Sequence, residues 1–108
     1  MAATRVCAMS ELAPATAMKV VIDGKPIAVV KDSAGSVYAL GDTCTHGEIS
    51  LSEGFVEDGT LECWAHGSQF DLITGAPKNF PAFEPVPVYA VIVENDEILV
   101  DPDTIIAP

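Results

Sequence analysis

The chain has 108 residues, with five Lys plus Arg against sixteen Asp plus Glu and a net charge of −11 at neutral pH. So acidic a chain is repelled by phosphate backbones and anionic lipid, which argues against nucleic acid or an acidic membrane as partner and permits steering toward a basic protein surface. A single domain of this length buries roughly two-thirds of the surface its unfolded chain exposes, enough for one modest core.

In chain order the sequence predicts short strands with turns between them. Thr4 to Ala8 reads as an edge strand in which Cys7 packs as a small apolar residue between Val6 and Ala8. Ser10-Glu11-Leu12-Ala13, ahead of Pro14, gives at most one helical turn. Met18 to Ile22 and Ile27 to Lys31 are rich in Val and Ile and form a hairpin through Asp23-Gly24, a pair that readily supplies positive φ angles. Ala34-Gly35 makes the next turn, and Val37 to Leu40 is a third strand that delivers the chain to Asp42.

Phe55-Val56 and Thr60-Leu61-Glu62 flank Glu57-Asp58-Gly59, a second hairpin signal, and Gln69 to Leu72 is a strand that closes at Thr74-Gly75. Pro77, Pro81, Pro85 and Pro87 make the next stretch an ordered loop, because proline cannot donate to a sheet ladder. Val88 to Glu94 and Glu97 to Val100, joined at Asn95-Asp96, form a closing hairpin, and the tail from Pro102 is expected to have little to hold it. Many short strands with almost no helix predict an all-β sandwich or barrel, in one domain spanning 1–108.

One stretch concentrates ligand chemistry. Cys44-Thr45-His46-Gly47 and Cys63-Trp64-Ala65-His66-Gly67 are two Cys/His pairs with 16 residues between them, and they use both histidines of the chain. Within each pair the two side chains come from one tight loop, and the predicted hairpin between the pairs puts both loops at the same end of adjacent strands. Two thiolates and two imidazoles then converge. Such a set suits a tetrahedral Zn²⁺, or a two-iron cluster in which two imidazoles replace two thiolates on one iron. Structural zinc sites usually pair Cys with Cys and His with His, so the mixed pairs favour the asymmetric two-iron site.

Here the sequence resembles the Rieske family, in particular the small Rieske ferredoxins that serve ring-hydroxylating oxygenases. The likeness runs from about Val6 to about Asp101 and is densest at Cys44-Thr45-His46-Gly47, Leu51-Ser52-Glu53-Gly54, Glu62-Cys63, His66-Gly67, Phe70-Asp71 and Thr74-Gly75. The resemblance implies a Rieske-type β-sandwich with a small cluster-binding subdomain at about 42–72 and one [2Fe–2S] cluster per chain. Cys44 and Cys63 would hold the inner iron, and His46 and His66 the outer iron near the surface.

The implied function is one-electron transfer from a flavin-dependent ferredoxin reductase to a terminal oxygenase that hydroxylates an aromatic substrate. The chain would not be an enzyme by itself. Two other readings stand beside it: the small Rieske subunit of another redox complex such as nitrite reductase, and a zinc-binding interaction module. No N-terminal apolar signal and no stretch of 18 apolar residues is present, so a cytoplasmic protein is expected.

Several side chains bear on tuning and docking. High-potential members of the family carry a disulfide between the two ligand loops and a Ser and a Tyr that donate hydrogen bonds to sulfur. The corresponding positions here are Ile49 and Ala65 for the disulfide, and Ser68 and Phe70 for the donors. The resemblance therefore implies a potential toward the low end of the Rieske span of about −150 to +300 mV. Trp64, between two ligands, reads first as a shield over the cluster and second as a docking contact. Phe70, Phe80 and Phe83 read as packing. Glu48, Glu53, Glu57 and Glu62 read as a solvated face that could also steer a basic partner.

Overall fold

The computed structural model describes residues 3–43, 50–57, 59–64, 67–78 and 84–107. Among them run nine strands: β1 (Thr4–Ala8), β2 (Thr16–Ile22), β3 (Lys25–Lys31), β4 (Val37–Gly41), β5 (Phe55–Glu57), β6 (Thr60–Glu62), β7 (Gln69–Asp71), β8 (Val88–Glu94) and β9 (Glu97–Ala107). Two single 3-10 turns, Met9–Glu11 and Leu51–Glu53, complete the list of regular elements. No helix among the described residues is long and apolar enough to cross a membrane.

The strands form a six-stranded antiparallel sheet in the order β1-β9-β8-β4-β3-β2 and a three-stranded one in the order β5-β6-β7. Its hairpin turns follow local chemistry. Asp23 and Gly24 have φ of 52° and 79°, and Asn95 and Asp96 have φ of 52° and 61°, so both two-residue turns carry the positive angles that match strand twist.

β3 is buried on both faces, as its run Ile27-Ala28-Val29-Val30 leads one to expect. Ile27 and Val29 point into a core shared with Cys7, Leu12, Ile22, Ala39, Tyr89, Ile98 and Val100, to which every strand of the large sheet contributes. The sheet must curl to enclose it. Two lysines on that face of β3 span the curl: Lys31 Nζ donates to the Met9 carbonyl at 2.8 Å, and Lys25 Nζ donates to the Pro102 carbonyl at 3.2 Å.

Ala28 and Val30 face the other way, where they join Leu40 and Val88 beneath Leu51, Leu61, Cys63, Phe70, Leu72 and Val86. This second core seats the small sheet on the large one. The predicted all-β sandwich with a smaller appended subdomain agrees with this arrangement.

The tail departs from expectation. The chain does not come loose at Pro102: β9 continues to Ala107, pairing Ile105 with Tyr89 and Ala107 with Val88. The register slips between Ala90–Asp101 and Tyr89–Ile105, so Pro102 sits in a bulge where its missing N–H costs no ladder bond. Asp101 stabilises the bulge by accepting from the Asp103 amide at 3.0 Å and the Thr104 hydroxyl at 2.9 Å.

The Pro-rich stretch has no strand among its described residues, which leave out Pro81, and its described ends are tied down. Val86 N–H donates to the Gly75 carbonyl and Gly41 N–H to the Pro87 carbonyl, both at 2.9 Å. Gly75, with φ of 74°, lies so near this segment that an added Cβ would stand 2.0 Å from the Val86 oxygen. Only glycine fits there.

Candidate metal centre

Two loop roots meet at one end of the small sheet. β4 ends at Gly41, and Thr43 and Ser50 then pair across an isolated antiparallel bridge, so the segment carrying Cys44 and His46 leaves and returns at one place. The 3-10 turn Leu51–Glu53 follows. Its C-terminal Gly54 approaches β6 so closely that a Cβ would lie 1.8 Å from the Glu62 carbonyl oxygen, which sets the returning limb against the strand that leads into Cys63.

The second root is a tight turn. Cys63 N–H donates to the Ser68 carbonyl at 2.7 Å, and Gly67 N–H donates to the Cys63 carbonyl at 2.9 Å. Gly67 has φ of 76°, a left-handed conformation that glycine adopts without strain. The turn therefore begins and ends on the sheet.

Cys63 and Ser68 are both fully buried, and the Cys63 thiol is not in a disulfide. Cys63 shares its core with Leu51 and Leu61, so one ligand-type side chain is already desolvated at the base of the second loop. Cys7 is different. It lies in the opposite core on β1, where burial pushes its thiol above the ordinary range, and it behaves as the apolar residue the sequence predicted.

The other three predicted ligands, Cys44, His46 and His66, lie outside the described residues, as do Glu48, Ile49, Ala65, Phe80 and Phe83. No group of three or more His, Cys, Asp or Glu side chains suited to a metal stands together among the described residues, where Cys63 is the one predicted ligand present. Trp64 stands half exposed. Phe70 is fully buried in the core under Cys63, as packing requires, and it presents no hydroxyl. Glu53 and Glu57 are exposed, while Glu62 is half-buried and accepts from Gln69 Nε2 at 3.2 Å.

One residue escaped the reading of the sequence as more than a way-point. Asp42, next to the bridge, is 1% exposed and hydrogen-bonded to the returning limb. An acidic residue ahead of a Cys/His pair gives no sign that it is buried; the Ser50-Leu51-Ser52 alternation downstream was the available hint.

Known proteins share this arrangement. A profile described as the Rieske [2Fe–2S] domain matches residues 2–90. The ferredoxin component of biphenyl 2,3-dioxygenase from Rhodococcus jostii (strain RHA1) is 38% identical over 101 residues, 94% of each chain. The ferredoxin of carbazole 1,9a-dioxygenase from Nocardioides aromaticivorans IC177 superposes with a TM-score of 0.90 at 36% identity, covering 95% of this chain and all of that one. A ferredoxin solved in complex with the oxygenase of carbazole 1,9a-dioxygenase gives a TM-score of 0.83 at 38% identity, covering 90% of this chain and 99% of that one. A chain described as an NADH-dependent nitrite reductase small subunit from Mycobacterium tuberculosis is less alike in sequence, at 27% identity and a TM-score of 0.84 over 92% of this chain and 93% of that one.

Proposed function

The chain belongs to the Rieske [2Fe–2S] domain family, and from that premise we propose that it is a cytoplasmic one-electron carrier between a flavoprotein ferredoxin reductase and a terminal oxygenase that hydroxylates an aromatic substrate. Residues 1–108 form one domain, with a cluster-binding subdomain at about 42–72. Cys44 and Cys63 hold the inner iron, His46 and His66 the outer iron, and one cluster is bound per chain. When bound, the cluster supplies reversible uptake of a single electron.

Cys63 carries the reading. Its thiol is buried at a loop root that abuts the root of the loop bearing Cys44, which is what a group bridging the two loops needs. The protein's own part is to shape and dry that end. Leu51, Leu61 and Phe70 exclude water beneath Cys63, and Phe70 supplies no hydroxyl donor. This supports a potential nearer about −150 mV than about +300 mV. The relatives named as dioxygenase ferredoxins support the oxygenase partner, and the lower identity to the nitrite reductase subunit makes that the second reading.

The purified protein is expected to be reddish-brown and, after dithionite reduction, to give a rhombic EPR signal with a mean g below the free-electron value, because nitrogen and sulfur donors make the two irons unlike. A colourless protein with one zinc per chain overturns the reading.

A further inference from the structure

Asp42 stands where β4 hands the chain to the first ligand loop, and it is held from both sides. The Leu51 amide donates to the Asp42 carbonyl at 2.5 Å, and Asp42 N–H donates to the Pro26 carbonyl at 3.1 Å, fixing the residue to the β2–β3 hairpin. The side chain grips the returning limb: the Ser52 amide donates to Oδ1 at 2.8 Å and the Ser50 hydroxyl donates to Oδ2. The Ser50 and Ser52 hydroxyl oxygens are themselves 2.9 Å apart.

Both carboxylate oxygens accept, as those of an ionised carboxylate do. The side chain is 1% exposed, and the ion pairs among the described residues, Arg5–Glu97, Lys25–Asp103 and Lys78–Asp71, leave it without a cationic partner. A charge desolvated and held only by neutral donors is costly to bury. An amide or hydroxyl would close the same turn at lower cost, so the turn alone does not account for a carboxylate there.

We propose that Asp42 is a positioning residue for the cluster, its carboxylate pinning Ser50 and Ser52, where the loop that carries Cys44 and His46 returns, and its uncompensated charge holding the reduction potential down. The inference rests on the cluster reading above. Asp42 is two residues from Cys44, at most about 7 Å of extended chain. A unit charge on the order of 10 Å from a redox centre, at an effective dielectric constant of about 20, opposes electron uptake on the order of tenfold.

Asp42→Asn tests the charge with little change of shape, since its Oδ1 still accepts from the Ser52 amide and its NH₂ can donate to the Ser50 oxygen. The variant is expected to load iron and sulfide fully, and its reduced-to-oxidised ratio at fixed ambient potential should rise on the order of tenfold, or about 59 mV for one electron. Ser50→Ala keeps the charge and removes one donor that neutralises it, so the ratio should fall. Should Asp42→Asn fail to fold, a loaded Ser50→Ala with an unmoved or raised ratio overturns the proposal; a loaded Asp42→Asn with an unmoved ratio does so directly. Wild-type protein that binds no iron fails the cluster reading, a result read separately by metal analysis.

Discussion

The hairpins of both sheets turn in open space at Gly24, Gly35 and Gly59, but the small sheet is also bracketed by glycines pressed against backbone. Added Cβ atoms at Gly24 and Gly35 would meet nothing within 4 Å, but at Gly54 and Gly75 they would stand 1.8 Å and 2.0 Å from carbonyl oxygens. Strand length differs too: β2, β3 and β8 have seven residues each, and β5, β6 and β7 have three. The large sheet encloses a core to which all six of its strands contribute, while the small sheet has one apolar face seated on β3, β4 and β8.

The difference separates a scaffold from a platform. Strands of three residues are at the short limit for independent pairing, so the small sheet depends on the large sheet below and on whatever joins the loops above. Its advantage is placement. Both loop roots sit on one short end, positioned by backbone contacts that permit almost no sliding.

Removing the metal should break the comparison open most widely. Where a bound group cross-links two loops, its binding free energy is partly folding free energy. In the chelated apo protein, hydrogen exchange at Leu61 and Phe70 should accelerate strongly while Val29 and Leu40 keep their protection. Equal loss at all four would make the two sheets one cooperative unit.

Core truncation should give the next largest effect. Ile27→Ala and Leu61→Ala each remove a fully buried side chain and should each cost about 2–5 kcal/mol in urea denaturation. Their signatures should differ: Leu61→Ala, beneath Cys63, should shorten the lifetime of the visible absorbance under chelator, and Ile27→Ala, in the other core, should leave it near wild type. Matching bleaching rates would remove the distinction between the cores.

The smallest expected effect is a pH response confined to the small sheet. The Asp71 carboxyl is held below the usual carboxylate range, first by the Thr74 amide and also by the Ile73 amide, against the opposing pull of partial burial. A depressed folded-state value means that this stabilisation is present above the unfolded value of about 3.9 and is lost as pH falls through the folded one. Protection at Phe70 should therefore fall below about pH 4 in the wild type and vary less in Asp71→Asn, while Val29 shows no such difference.

Much of this was legible in the sequence because it is local. Asp23-Gly24 and Asn95-Asp96 dictate their turns through the φ angles those residues tolerate, and the run Ile27-Ala28-Val29-Val30 declares a strand covered on both faces. The identity and pairing of Cys44, His46, Cys63 and His66 are likewise properties of the chain, and they named the family without any fold.

What the tertiary structure alone decided are matters of distant contact. Pro102 looks like a terminator, yet a bulge opposite Tyr89 and a lysine from β3 keep the chain paired to Ala107. Cys7 and Cys63 are told apart in the sequence by the His that accompanies only Cys63, but that Cys7 faces the closed core of the large sheet and Cys63 the seat of the small sheet is settled by the fold. Asp42 is one of sixteen acidic residues until Ser50, Ser52 and Pro26 close around it. Burial arises from segments that meet only after folding, so the sequence could supply the carboxylate but not the dry surroundings that make its charge count.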